Sequence, residues 1–234
     1  MIDMTFNGKT PSDYDAYLAN IPVITHSEIK RTTFDIPMMD GLMYADEYRG
    51  DASTNITIHL RDNALETKMR EVRAWLAGRG ILTFSNRSDS FFEVKAINPM
   101  EESRRSDDYG RYTANVILYP YEFLNSGDVE LLAGTDSLEN EAEASKPLYR
   151  ITGSNGTYVL TVNGNSVSVK ITNNRDTYID TRKVITYQMD GNNKIASNTL
   201  MSGDSENLYF KHGENVVTIT GASAYVTPRW GYVI

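Results

Sequence analysis

Tyr158–Val169 reads Tyr-Val-Leu-Thr-Val-Asn-Gly-Asn-Ser-Val-Ser-Val. Asn163-Gly164 at its centre is the strongest short hairpin signal, because both turn positions need φ > 0. A two-residue loop there pairs Val162 with Asn165, Leu160 with Val167 and Tyr158 with Val169. Side chains alternate across a strand, so Tyr158, Leu160 and Val162 then share one face with Val167 and Val169. Turn chemistry and apolar pattern agree on one register, which predicts a sheet with one buried face.

The same vocabulary extends outward from this hairpin. Residues 145–234 contain 36 Val, Ile, Thr, Tyr, Phe and Trp among 90, with 18 Asn and Gly to make turns. Upstream, Ala133–Pro147 (AGTDSLENEAEASKP) is acidic at Glu139, Glu141 and Glu143, nearly free of large apolar residues, and closes on a proline. That composition buries too little surface to order itself. The expected organisation is a domain over 1–132, an acidic linker over 133–145 and a β-sandwich over 146–234. The other reading of the stretch is a charged surface loop within one domain. Charge changes across it as well: residues 1–144 carry 14 Lys and Arg against 25 Asp and Glu, net −11, while 145–234 carry 9 against 6, net +3.

The N-terminal part is predicted as strands with one helix. Ile56, Ile58 and Leu60 alternate with polar residues, as do Tyr112, Ala114, Val116 and Leu118, both half-buried strand patterns. Between them, Asn63 stands three residues before Glu66, the form of a capping box. Leu65, Met69, Val72 and Leu76 follow as one apolar helical stripe, and Gly78 offers a left-handed stop. The helix is expected over 64–77, about 21 Å long. The fold class is therefore mainly β: an α+β N-terminal domain with a single helix, then a C-terminal β-sandwich.

Composition excludes several function classes. The chain has 234 residues, no cysteine and a net charge of −8. Disulfides, thiolate metal sites and thiol catalysis are ruled out. No apolar run exceeds four residues, as at Val116–Tyr119, against the roughly 20 that a spanning helix needs, so no membrane insertion is expected. The opening MIDMTFNGKT has neither a basic nor an apolar region of a secretory signal. An acidic chain lacks the cationic footprint that gripping nucleic acid requires.

Candidate chemistry is sparse. His26, His59 and His212 have no metal-ligand spacing, and Asp13 and Asp15 form a lone D-x-D that reads as a turn or cap rather than a cation site. There is no G-x-S-x-G, phosphate loop or dinucleotide fingerprint. No catalytic, cofactor-binding or metal-binding residue is assigned, and no cofactor is expected. Asn55, Asn86 and Asn155 head N-x-S/T sequons without a secretory route. Glu206–Phe210 (ENLYF) resembles a protease tag site but sits within the predicted β region and is read as native sequence. Trp230 and the tyrosines could stack on sugar rings if exposed.

Taken in order, short motifs along the whole chain resemble the distal tail proteins of long-tailed, non-contractile phages and prophage-derived tails. Phe6-Asn7-Gly8-Lys9 with Ser12-Asp13-Tyr14 resembles that family's first strand and turn. Ile36-Pro37 and Asp40-Gly41-Leu42 resemble its V-P-G-R-D-G segment, with Met38-Met39 where Gly-Arg is usual. Ala74-Trp75-Leu76-Ala77-Gly78 followed by Leu82-Thr83-Phe84-Ser85 resembles W-L-x-G…L-x-F-S. Val159–Gly164, Asp190–Asn193, Gly203-Asp204, Gly213–Asn215 and Pro228-Arg229-Trp230 follow the order of its galectin-like C-terminal domain, without the H-x-N-x-R pattern of sugar-binding galectins.

The resemblance implies a structural, non-enzymatic virion protein of the phage tail tip, made in the bacterial host cytoplasm. It implies a homo-hexameric ring formed by the N-terminal domains. That ring would join the tail tube protein to the tail-tip protein and serve as hub for receptor-binding or baseplate proteins, with DNA only passing through the lumen. The alternative is a carbohydrate-binding adhesin acting through the C-terminal β-sandwich.

Overall fold

In the computed structural model, which describes residues 3–38, 40–134 and 137–234, the chain forms two compact units. The first comprises Met1–Glu122 with Val233–Ile234, and the second Phe123–Tyr232.

The first unit contains β1 (Met4–Phe6), β2 (Ala16–Leu18), β3 (Ile24–Thr25), β4 (Ile29–Phe34), β5 (Met43–Arg49), β6 (Ala52–Arg61), α1 (Leu65–Trp75), β7 (Gly80–Phe84), β8 (Arg87–Ser106) and most of β9 (Tyr109–Leu124). Its sheet runs β1-β7-β8-β9-β6-β2, with β3 also on β6. β6 and β9 pair antiparallel, with Ile56 opposite Ala114, Ile58 opposite Tyr112 and Leu60 opposite Gly110. These residues face one way, and the expected stripes Ile56, Ile58, Leu60 and Tyr112, Ala114, Val116, Leu118 are buried. α1 lies on that face through Leu65, Met69, Val72, Trp75 and Leu76. A Cβ on Gly110 would sit 3.1 Å from the Leu65 side chain, so the glycine leaves room for the first turn of the helix. Trp75 Nε1 donates to the Phe6 carbonyl at 3.0 Å and its ring stacks on Tyr14, which ties the helix end to the first strand and turn.

Two details of the helix differ from expectation. The helix is Leu65–Trp75, within the predicted 64–77, and the Asn63–Glu66 capping box does not form. Ala64 is the N-cap, and the Asp62 carboxylate instead accepts from the Ala64 amide at 2.6 Å. An aspartate two residues ahead closes an Asx turn and takes the place of the box. Gly78 adopts φ +87°, the left-handed stop that was expected.

The second unit contains β10 (Leu131–Leu132), β11 (Leu138–Asn140), β12 (Leu148–Thr152), β13 (Gly156–Val162), β14 (Asn165–Ile171), β15 (Thr177–Asp180), β16 (Ile185–Asp190), β17 (Asn193–Ala196), β18 (Met201–Ser202), β19 (Gly213–Asn215), β20 (Val217–Ile219) and β21 (Ser223–Thr227). The final strand, β22 (Gly231–Val233), pairs with β9. A six-stranded sheet, β10-β21-β12-β15-β16-β17, and a four-stranded sheet, β18-β14-β13-β20, share one core. The β13–β14 hairpin has the predicted register at all three pairs, with Asn163 at φ 50° and Gly164 at φ 85°. Leu160, Val162, Val167 and Val169 are buried against Tyr149, Ile151, Ile179 and Val226 of the other sheet.

The acidic stretch is not a linker. The boundary falls at Glu122/Phe123, ten residues before the expected 132, and residues 133–145 belong to the second unit. Ala133 donates to the Ala224 carbonyl at 2.8 Å, β11 pairs with β19, and Ser145 exchanges backbone hydrogen bonds with Phe210. Asn140, Ala142 and Ser145 are buried, while Glu139, Glu141 and Glu143 are exposed. The stretch alternates in the strand manner, but two of its buried positions are polar, so composition reads as disorder. Asn140 Nδ2 donates to the Glu143 and Lys211 carbonyls, and Asn215 links Lys211, Gly213 and Asn163. Every amide in this buried network finds a partner, which is the condition for burying it. Thr135 and Asp136, also in the expected linker, and Met39 of the Met38-Met39 pair lie outside the described residues.

Two variants test these assignments. Gly164→Val places a β-branched residue at φ 85° in otherwise open space, so backbone strain alone acts. Denaturant unfolding should report a loss of about 1–2 kcal/mol. Arg229 pairs with the buried Asp180 at 2.8 Å. Burial raises the Asp180 carboxyl, but the Arg229 hydrogen bond and charge, with the Lys183 amide, outweigh it and hold the carboxyl below its usual range. Its contribution is therefore present above the unfolded value and is lost as pH falls through the lower folded value. Arg229→Met should cost about 3 kcal/mol at pH 7. That loss should shrink as acid protonates Asp180; equal losses at pH 7 and pH 3 would contradict the pairing.

Candidate functional site

The acids and histidines singled out from the sequence lie at separate places in the fold. Asp13 caps the 3₁₀ turn at Pro11–Tyr14 by accepting from the Thr10 amide at 2.8 Å, while Asp15 at φ 54° pairs with Lys68 of α1 at 2.8 Å. The two carboxylates of the D-x-D serve different partners. His212 Nδ1 lies 2.9 Å from the Ala142 carbonyl, and His59 Nδ1 meets the Tyr109 hydroxyl. His26 stands on the loop before β4, apart from both. Among the described residues no three His, Asp or Glu converge as metal ligands.

Other singled-out residues are structural. Leu208 and Phe210 of the ENLYF stretch are fully buried, and Tyr149 donates its hydroxyl to the Leu208 carbonyl at 2.7 Å. Burial pushes the Tyr149 hydroxyl well above the ordinary tyrosine range, so it stays a neutral donor. Asn55 accepts from Asn115 across the β6–β9 pair, Asn155 accepts from the Asn174 amide, and Asn86 sits in the β7–β8 turn. Trp230 is not an exposed sugar platform. It is 8% exposed, donates Nε1 to Ser126 at 3.0 Å, and packs so closely on Gly127 that a Cβ there would lie 2.7 Å from it.

What the fold does expose is a ribbon. β4 and β5 form a two-stranded sheet of their own, with Phe34 opposite Met43, Thr33 opposite Tyr44 and Lys30 opposite Tyr48, and a register shift between Lys30 and Arg31. Arg31 and Asp46 pair across it at 2.7 Å. Phe34, Met43, Tyr44 and Tyr48 on the strands are 46–63% exposed, and Ile36 and Leu42 in the connection 42% and 48%. None belongs to the core of the first unit. An isolated two-stranded ribbon is marginal in water, and clustered exposed apolar residues mark an interaction surface. Sequence reading singled out only the Ile36–Leu42 connection, as a motif, and not the strands on either side of it. The ribbon's alternation is interrupted by the bulge, and among the described residues its apolar side chains join neither buried core.

No protein-family model matches the chain, and no curated protein does. Solved structures do. The crystal structure of the SPP1 Dit protein, described as a paradigm of hub adsorption apparatus in phages infecting Gram-positive bacteria, superposes with a TM-score of 0.67 at 13% identity over 97% of both chains. The chain has the Dit fold. A chain of the phage P2 baseplate in its Ca-activated conformation matches at TM-score 0.52 and 8% identity, again over 97% of both chains. Correspondence over 97% of the chain takes in both of its units, so the end-to-end resemblance of motif order has its counterpart in the fold.

The ribbon assignment is tested by Tyr44→Ser with Tyr48→Ser. Neither side chain contributes to the core of the unit. At low salt and low protein concentration, where the chain is a monomer, the thermal midpoint should move by less than about 2 °C, which is under about 0.5 kcal/mol for a surface change. Fluorescence-monitored melting reads this, and a drop of 8 °C or more would place the ribbon in the core instead.

Proposed function

We propose that this protein is a structural hub of a phage or prophage tail tip, assembled as a ring of six copies through the first unit. The observation that carries this reading is the Dit fold over 97% of the chain, combined with an apolar ribbon that lies exposed among the described residues. A cyclic ring requires two different, complementary surfaces on each subunit. The β4–β5 ribbon is one, and its open strand edges suit pairing with a neighbouring sheet edge. In this reading the ring joins the tail tube to the tail-tip protein, DNA passes through its lumen, and the galectin-like second unit projects as a docking module for receptor-binding or baseplate proteins. The protein acts by assembly rather than catalysis, at the virion tail tip after synthesis in the host cytoplasm. The carbohydrate-adhesin reading loses its best candidate residue, since Trp230 is buried.

Light scattering on the purified full chain tests the ring. The expected mass is about six times the 26.3 kDa of one chain. Subunits with net −11 in residues 1–144 repel one another, so assembly should strengthen as salt rises from low values. Tyr44→Ser with Tyr48→Ser should shift the population to smaller species. A chain that stays monomeric at high concentration and every salt level, with tail-tube and tail-tip partners added, would overturn the ring.

A further inference from the structure

The face of the first sheet opposite α1 carries a cationic cleft that the hub reading does not use. Pairing places Tyr17, His59 and Arg111 directly across β2, β6 and β9, and Arg61 opposite Tyr109. The strand β8 adds Glu101, Ser103 and Arg105, and these three with His59, Tyr109, Arg111 and Arg104 line a cleft of ≈ 350 Å³. In a part of the chain with net −11, this is a local reversal of sign.

The charges in it are unevenly matched. Arg104 is engaged by Glu66 of α1. Arg111 gives Nη2 to Glu101 at 2.7 Å, but its Nε is buried with no hydrogen-bond partner. Arg61 has Asp108 only at 3.9 Å, and Asp108 is already held by Ser106 at 2.6 Å. Arg105 has no carboxylate within 4.0 Å among the described residues. A buried N–H left bare calls for an acceptor, and the exposed Arg105 guanidinium beside it has no carboxylate to compete with one.

We propose that this cleft binds a phosphate-type oxyanion, held by the guanidiniums of Arg105 and Arg111 with the Ser103 hydroxyl beside them. Guanidiniums present forked donors that suit the tetrahedral oxygens of phosphate. The neighbouring aromatic residues fit the same ligand class. Tyr109 lines the cleft beside His59 at a ring-centroid distance of 5.5 Å, edge to face, and gives a phosphodiester's base an aromatic neighbour. Burial first, then the Arg111 and Arg105 charges, hold the His59 imidazole below its ordinary value, so it is neutral at pH 7 and does not add to the cationic charge. An anion seated between the two arginines would cancel that repulsion and raise it. Free phosphate and a nucleic-acid backbone share this chemistry, and the cleft's volume exceeds one phosphate ion. The inference does not depend on the ring.

Equilibrium dialysis of the full chain against orthophosphate, at constant ionic strength set with chloride, tests it. The expected result is saturable binding of one phosphate per chain. Arg105→Gln, an exposed change, should weaken binding at least tenfold, and Arg111→Gln likewise. Arg104→Gln, whose charge Glu66 already engages, should stay within twofold of the parent. A short oligodeoxythymidylate that competes with phosphate and binds at least tenfold more tightly assigns the site to a phosphodiester backbone; phosphate binding without such competition assigns it to the free ion. Absence of saturable binding of either probe, or equal binding by Arg105→Gln and Arg104→Gln, would overturn the site.

Discussion

The pairing of β6 with β9 is the constraint on which the first unit depends. Ten residues of each strand run in continuous antiparallel register, and the pleat sorts their side chains without exception. One set becomes a floor of Ile56, Ile58, Leu60, Tyr112, Ala114 and Val116 that must be covered, because apolar area of that size left in water would cost on the order of several kcal/mol. α1 covers it, and Gly110 lets the helix approach at Leu65. The other set, including Asn55, Thr57, His59 and Arg111, is left to solvent by the same alternation. A one-residue slip would exchange the two faces, placing arginine under the helix.

The second unit depends on a different device. Its two sheets share an apolar core that begins at the Asn163-Gly164 hairpin, but the edge formed by β11 and β19 is held by amides. Asn140 and Asn215 are fully buried and fully paired, and they fasten an acidic segment that has few apolar residues of its own. Polar burial of this kind is stable only when every donor and acceptor is met. The segment is therefore ordered by partners 70 residues away in sequence, Lys211 among them.

The surfaces left over after both cores are complete are the ones available for assembly. The β4–β5 ribbon exposes aromatic and aliphatic side chains that neither core receives, whereas Trp230, Leu208 and Phe210, which by residue type could have formed a binding surface, are enclosed.

The amino-acid sequence by itself determined the elements whose signals are local. The Asn163-Gly164 turn and the stripes beside it set a register that the structure reproduces, and the alternation in β6 and β9 and the stripe of α1 named buried residues correctly. Turn dihedrals and strand or helix periodicity are properties of a few adjacent residues, so a short window contains them. Only the tertiary structure decided the rest. Asp62 rather than Asn63 closes the helix start, Leu138–Asn140 of the acidic stretch pair with β19 rather than link domains, and Trp230 turns inward. Arg105, Arg111 and His59 come from three strands and meet only once those strands are paired. Each of these outcomes depends on a partner distant in sequence, and composition within a window carries no information about which partner the fold will supply.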